Sequence, residues 1–358
     1  MKKADSPLQF PSGLQMKNRF MLAPLTNTQS HEDGRLSEEE KHWLTMRAKG
    51  GYGLVMTCAS HIQAIGKGFP GQLGIFSDIH IPGHQQLASE IKAHGSLAVI
   101  QLHHAGMRSP QELIGEAPVC PSTHEKYGCR ALSLEEVSKL KEDYIQAAVR
   151  AKKAGYDGVE LHGAHGYILG QFLSSQYNLR TDEYGVSLAN RSRLLFEIMN
   201  GVREQCGGNF LLGVRLSPER FGMDIQEIKE VSQQLIDSGK LDFLDLSLWD
   251  YKKVPEEDAY QHKNLLDHFL ELDFKDVKLT IAGRIRNGAQ VQEVLATKVD
   301  FVTTGQAGIV HHDFPKRVID NPDFQAVDMP VTEEHLRQEG VSDAFITYLK
   351  RRPGFVKE

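Results

Sequence analysis

The sequence predicts an α/β protein, a single (β/α)8 TIM barrel with a C-terminal helical extension, and three observations lead to this fold class. Eight short apolar segments, rich in β-branched residues, recur along the 358-residue chain. Patterns typical of helices separate these segments, so that strand and helix alternate. The segments are apolar throughout, which is typical of parallel strands that are covered on their outer face.

The predicted strands cover residues 20–25, 53–60, 97–103, 158–162, 210–216, 243–248, 278–283 and 301–305. Predicted helices between them cover residues 82–94, 134–155, 190–206, 224–238 and 287–297. Ser133 and Glu136 have the spacing of a capping box at the start of the long helix that ends at Gly155. An open doubly wound sheet is disfavoured, because no G-x-G-x-x-G turn follows the first predicted strand.

No linker divides the chain, so we predict one domain over residues 1–358. The barrel is expected over about residues 20–320 and a mostly helical extension over about residues 321–358. Two connections are long, residues 105–132 and residues 163–190. Loops of this length within a compact domain are usually functional.

Composition and charge exclude several function classes. The net charge is −6, and no long run of Lys and Arg indicates a nucleic-acid partner. No apolar run is long enough to cross a membrane, and the basic start is not followed by the apolar core of a signal peptide. The four cysteines form no C-x-x-C pair, which argues against a zinc ribbon or an iron–sulfur cluster. We therefore expect a cytoplasmic protein, and the sequence leaves a homo-oligomer open.

Polar residues follow nearly every predicted strand, at the end where (β/α)8 barrels carry their active sites. Most are hydrogen-bond donors, which suits a large anionic or carbonyl-rich ligand better than a bare metal ion. Gly283-Arg284 and Gly305-Gln306 follow strands seven and eight, where such barrels commonly bind phosphate. The other candidates are Thr26, Cys58, Gln101, His162, His165, Arg215 and Ser247.

Several of these candidates allow a second interpretation. His162 and His165 have a spacing that could hold zinc, but no nearby carboxylate or cysteine completes a ligand set, so no metal is expected. Arg215 lies inside a strand, so it must face either a carboxylate or an anionic ligand. Cys58 fits a small packing residue better than a nucleophile. Glu160 fits a buried carboxylate of the barrel interior.

Taken in order, these segments resemble the Old Yellow Enzyme family of FMN-dependent NAD(P)H oxidoreductases. The resemblance is carried by NRFMLAPLTN, IQLHHAG, GYDGVELHGAHGYILGQFLSS, YNLRTDEYGVSLANRSRLLFEI, GVRLS and DFVTTGQA. It runs from about residue 10 to about residue 323 and so covers nearly the whole chain. The block around the fourth strand is long and specific.

The resemblance implies FMN as the cofactor, NADH or NADPH as the reductant and a small electrophilic molecule as the substrate. His162 and His165 would donate to the substrate carbonyl and Tyr167 would supply a proton, in reduction of activated C=C bonds or of quinones. The residues that would contact the cofactor are Ala23, Pro24, Leu25, Thr26, Cys58, Gln101, Arg215, Gly283, Arg284, Gly305 and Gln306.

The chain also departs from the family pattern. Gln306 stands where the family typically has an arginine that holds the FMN phosphate, so FMN is expected to be held more weakly. Arg351 and Arg352 could reach the site of a neighbouring subunit or belong to a solvated tail. Another FMN barrel, such as a dihydrouridine synthase, and a flavin-binding barrel without catalysis are the alternative functions.

Overall fold

The computed structural model of the protein describes residues 2–357, and its core is a closed barrel of eight parallel strands. Each strand pairs with its neighbours in chain order, and the last strand pairs with the first through Val302 and Phe20. The strands are β1 Phe20–Leu22, β2 Leu54–His61, β3 Leu97–His103, β4 Gly158–Gly163, β5 Leu211–Leu216, β6 Phe243–Ser247, β7 Lys278–Ala282 and β8 Phe301–Thr304. The predicted fold class and all eight predicted strands are confirmed.

A helix follows each strand and covers the outside of the barrel. These helices are α1 Glu38–Lys49, α2 Ile81–Ala93, α3 Leu134–Lys153, α4 Leu188–Cys206, α5 Ile225–Asp237, α6 Leu265–Phe269, α7 Gly288–Leu295 and α8 Phe314–Asp320. The capping box of α3 is present as predicted, since Ser133 Oγ accepts from the Glu136 N–H at 3.1 Å and Glu136 Oε2 accepts from the Ser133 N–H at 2.8 Å. The sequence analysis did not single out α1, whose buried face includes the charged side chains of Glu40 and Arg47.

The N-terminal end of the barrel is filled with apolar side chains and closed by a short hairpin, Leu8–Gln9 paired with Gln15–Met16. The ring of Phe10 beside this hairpin lies 6.0 Å from the ring of Phe243 and 5.8 Å from that of Phe301. A Cβ atom on Gly213 would lie 2.1 Å from the Phe243 ring, so only glycine fits there. This end is therefore solid, and any cavity must open at the opposite end.

The register of β2 shifts between Met56 and Ala59, which marks a bulge next to the C-terminal end of the barrel. Bulges of this kind turn side chains to the other face of a strand. The thiol of Cys58 is fully buried and lies against the carboxyl group of Glu40 in α1, whereas Ala59 faces the interior of the barrel end.

After the barrel, the chain forms two further helices, α9 Glu333–Gln338 and α10 Asp343–Lys350, in the region predicted as a helical extension. The ring of Phe345 in α10 packs edge-on against Trp43 of α1, with centroids 5.4 Å apart. Thr28 Oγ1 donates to the carbonyl of Ala344 at 3.3 Å. These contacts hold α10 beside the C-terminal end of β1. None of the helices within residues 2–357 is long and apolar enough to cross a membrane.

Candidate active site

A cavity of about 510 Å³ opens at the C-terminal ends of the strands, and every strand or the residues directly after it contribute to its wall. This volume lies in the range of small-molecule and cofactor sites. The structure brings together all the predicted site residues except Cys58. They are Ala23, Pro24, Leu25, Thr26, Gln101, His162, His165, Tyr167, Arg215, Gly283, Arg284, Gly305 and Gln306.

The backbone after β4 places three side chains in one wall of this cavity. His165 and Gly166 both have positive φ angles, 60° and 67°, so the chain turns sharply before the short helix Ile168–Leu173. The Ser217 hydroxyl accepts from the His165 N–H at 2.9 Å and helps to hold this uncommon conformation. As a result, the rings of His162 and Tyr167 lie with centroids 5.0 Å apart and those of His162 and His165 also 5.0 Å apart.

The hydrogen bonds of the two histidines follow one another from Ala164 to Ser247, and all of them donate in the same direction. The Ala164 N–H donates to His162 Nδ1 at 3.3 Å, so the proton of a neutral His162 lies on Nε2. That nitrogen is 3.3 Å from His165 Nδ1, and His165 Nε2 is 2.7 Å from Ser247 Oγ. Each ring therefore accepts at Nδ1 and donates at Nε2. Protonating either ring would place two N–H groups against each other.

The electrostatics of the site keep both rings neutral. Burial lowers the pKa of His165 to about 3, and the nearby positive charges of Arg215 and Arg108 lower it in the same direction. Burial, followed by the neighbouring His165, also holds the pKa of His162 well below its ordinary value. The site thus offers neutral imidazole N–H donors over the physiological pH range.

Tyr167 keeps its phenolic proton for a similar reason. Burial raises the pKa of Tyr167, while the positive charge of Arg108 opposes the rise. The Arg108 guanidinium lies 4.9 Å from the centre of the Tyr167 ring, and the ring of buried His103 meets it edge-on at 4.3 Å. The ring is therefore held by two contacts, and its hydroxyl remains a proton donor at neutral pH.

Below these side chains, a buried polar network crosses the barrel interior. Gln101 Nε2 donates to Glu160 Oε1 at 2.7 Å, and Arg215 Nε lies 3.1 Å from Asp245 Oδ2 without the alignment of a hydrogen bond. Burial, and then the charge of Asp245, raises the pKa of Glu160 to about 8. Burial likewise raises the pKa of Asp245 to about 6, although Arg215 lowers it. Arg215 thus faces a carboxylate, one of the two partners that its strand position predicted, and it also lines the cavity.

With this geometry established, the chain can be compared with known proteins. Residues 6–323 match the family model described as the NADH:flavin oxidoreductase / NADH oxidase family. The chain belongs to this family. It is an FMN-dependent NAD(P)H oxidoreductase of the Old Yellow Enzyme type, and the resemblance inferred from the sequence motifs is confirmed.

The similarity extends along the whole barrel. The chain is 35% identical over 330 residues to the probable NADH-dependent flavin oxidoreductase YqiG of Bacillus subtilis (strain 168), covering 88% of each chain. It is 31% identical over 323 residues to the NADH oxidase of Thermoanaerobacter brockii, covering 85% of this chain but only 49% of that longer protein. The structure of the old yellow enzyme homologue from Zymomonas mobilis aligns with a TM-score of 0.80 at 28% identity, covering 96% of this chain and 99% of the other.

The donors of this family member fit FMN at two places. Arg215 is buried and lines the cavity. Within residues 2–357, its guanidinium contacts Asp245 and makes one long contact besides, 3.4 Å from Nη2 to Ser247 Oγ. This guanidinium is therefore available for the carbonyl groups of a flavin ring. At the other end, Gln306 begins a short helix after Gly305, and the half-exposed Arg284 lies 3.9 Å from Asp250. Backbone N–H groups and one loosely paired arginine suit a phosphate.

The structure corrects one position and adds several that the sequence analysis missed. Cys58 does not line the cavity of this oxidoreductase, because the bulge in β2 turns its side chain outward and presents Ala59 instead. The missed residues come from loops and from the C-terminus. They include Phe69, Arg108, Phe221, Lys253 and Tyr348, and Arg352 lines the cavity of its own chain rather than only that of a neighbour. No spacing pattern connects them with the strand ends, so only the folded chain brings them to the site.

Proposed function

We propose that the protein reduces activated C=C bonds of unsaturated carbonyl compounds, and quinone-type acceptors, with electrons from NAD(P)H. The observation that carries this proposal is the wall formed by His162, His165 and Tyr167, in which two neutral donors and one protonated phenol face the same cavity. Reduced FMN supplies the hydride for the β-carbon of such an alkene.

His162 and His165 bind and polarise the carbonyl oxygen of the substrate. Negative charge develops on that oxygen as the alkene is reduced, and donors held in place beforehand stabilise it as in an oxyanion hole. The His162 Nε2–H makes only a long contact to His165, so it can turn to a substrate oxygen with little loss. His165 Nε2 donates to Ser247 Oγ at 2.7 Å, which orients the ring, and this N–H would turn from Ser247 to the substrate oxygen when the substrate binds.

Tyr167 protonates the α-carbon of the substrate. Its hydroxyl makes no hydrogen bond within residues 2–357, and its raised pKa keeps the proton on the oxygen until a carbanion-like centre forms. A quinone takes up its protons on oxygen, which water can supply. The phenol is therefore needed for alkenes and dispensable for quinones.

The cofactor would be held by residues from most strands. Thr26, Gln101 and Arg215 would contact the ring system, and Arg215 would compensate negative charge on it. Gly283, Arg284, Gly305 and Gln306 would hold the phosphate.

Replacing Tyr167 with Phe tests the proposed function, because it removes one oxygen and keeps the ring contacts. We expect reduction of a weakly polarised enone to fall by about 100-fold or more, the range of general acid catalysis. Flavin reduction by NAD(P)H and quinone reduction should change by less than about twofold. Tyr127→Phe, at an exposed tyrosine outside the cavity, is the matched control. An equal loss of all three activities in Tyr167→Phe would contradict the proton-donor role.

A further inference from the structure

Most cationic side chains of the cavity wall have a carboxylate partner in the chain. Arg215 lies against Asp245, Arg220 against Glu256 at 3.2 Å, and Lys253 against Glu219 and Glu256. Arg284 lies 3.9 Å from Asp250. These groups are therefore at least partly neutralised before any ligand binds.

Arg108 and Arg352 differ, since neither lies within ion-pair distance of a carboxylate in the part of the chain that the structure describes. Arg108 donates to the carbonyl of His165 and lies over the ring of Tyr167. Arg352 donates to the hydroxyl of Tyr348 at 2.7 Å and lies 5.1 Å from the centre of its ring. Both guanidinium groups are exposed, line the cavity and keep donors for a further partner.

The two arginines line the same cavity, each beside a tyrosine that also lines it. Arg108 contacts the Tyr167 ring, and Arg352 contacts the ring of Tyr348. The packing of Phe345 against Trp43 holds α10, and with it Tyr348, in position. Arg352 follows two residues after the end of α10 and is joined to it by the hydrogen bond to the Tyr348 hydroxyl. Arg352 thus lines the cavity of its own chain, a placement that differs from the two alternatives considered from the sequence.

We propose that Arg108 and Arg352 bind a carboxylate of the substrate, so that the preferred substrates are unsaturated carbonyl compounds with an anionic group beyond the reacting alkene. This inference rests on the proposed function, because it assigns the substrate class of the same site. Arginine binds carboxylates through paired N–H donors, and two such groups beside a tyrosine wall favour an anion over an uncharged ester. A phosphate of NAD(P)H is the other anion that two arginines would bind. Flavin reduction by NAD(P)H and flavin oxidation by the substrate, measured separately, show which of the two anions the arginines bind.

The test compares two substrates that differ only in charge, an aliphatic enone whose β-carbon carries a propanoate chain and the methyl ester of the same compound. For the FMN-loaded wild-type protein, we expect kcat/KM for the acid to exceed that for the ester by about tenfold or more. Arg352→Gln should lower this ratio by about tenfold, and Arg108→Gln should lower it similarly. Arg351→Gln, which removes a neighbouring charge that does not line the cavity, should leave the ratio unchanged.

One further measurement, the binding of NAD(P)H, decides between the sources of the anion. If the arginines bind coenzyme phosphate instead, Arg352→Gln will weaken NAD(P)H binding in the anaerobic reductive half-reaction and leave the acid-to-ester ratio at its wild-type value. That result would overturn the inference, as would a wild-type ratio near one.

A saturated analogue of the acid, which cannot be reduced, tests the anion site independently of the proposed reaction. Its binding can be followed by the change in the flavin spectrum without any turnover. If neither enone is reduced, but the saturated acid binds more tightly than its ester and Arg352→Gln removes the difference, the proposed function fails and the anion site stands. If the two saturated compounds bind equally, the anion site fails whatever the activity.

Discussion

The neutral state of His165 leads to a pH dependence whose size can be calculated. Burial, with help from Arg215 and Arg108, lowers the pKa of His165 from 6.5 to about 3. The unfolded chain therefore binds a proton near pH 6.5 that the folded protein does not bind until about pH 3. The free energy of unfolding is thus nearly constant above about pH 7.5 and falls as the pH decreases below that value.

Proton linkage gives the magnitude for this one group. When the pH falls from about 7.5 to about 5.5, binding of this proton to the unfolded chain lowers the free energy of unfolding by about 1.4 kcal/mol. His165→Asn removes this titration and keeps a side chain that can donate to Ser247. The variant should therefore lose about 1.4 kcal/mol less stability than the wild type over the same interval.

Urea denaturation, followed by circular dichroism at a fixed concentration of free FMN, measures this difference at the two pH values. His94→Asn is the matched control, because His94 is exposed and its ring makes no hydrogen bond within residues 2–357. Other buried histidines with a lowered pKa, His61 and His104 among them, act equally in both proteins and cancel in the comparison. An identical loss in wild type and His165→Asn would refute the reasoning.

Three other predictions concern the donors, the phosphate end and the stability of the barrel. His162→Ala should weaken binding of p-hydroxybenzaldehyde by about tenfold or more and abolish its charge-transfer band with oxidised flavin; unchanged binding would count against the donor role. Gln306→Arg should tighten FMN binding by about tenfold in a fluorescence titration, since a charged donor replaces a neutral one, and an unchanged Kd would show that position 306 does not contact the phosphate. Ser133→Ala should lower the free energy of unfolding by about 1 kcal/mol in urea denaturation through loss of the capping box of α3, and no change would mean that the cap contributes nothing.

The barrel strands could be predicted because each of them is buried on both sides and therefore appears as an apolar run. The site residues at the strand ends could be predicted for a related reason, since the barrel brings all eight strand ends to one face. Helix α1 escaped detection because its buried side includes Glu40, which accepts from Asn27 Nδ2 at 2.8 Å, and Arg47, which donates to three backbone carbonyls. Polar groups satisfied in this way do not produce an apolar stripe.

The remaining misses depend on features without a local sequence signal. The bulge in β2 exchanges the directions of Cys58 and Ala59, and an alternation pattern cannot locate an extra residue. Tyr348 and Arg352 reach the cavity through the packing of α10 on α1, and Arg108 reaches it through a long loop. Such contacts join segments far apart in the chain, so only the three-dimensional arrangement reveals them.

The most direct test of the central claim is the oxidative half-reaction of the FMN-loaded protein. The flavin is first bleached anaerobically with one equivalent of NADH or NADPH and is then mixed with an enone. The account predicts that the flavin absorbance returns and that one saturated ketone forms for each flavin reoxidised. If the flavin stays reduced with the enone and is reoxidised only by a quinone, the chain's His162, His165 and Tyr167 do not form an alkene-reducing site.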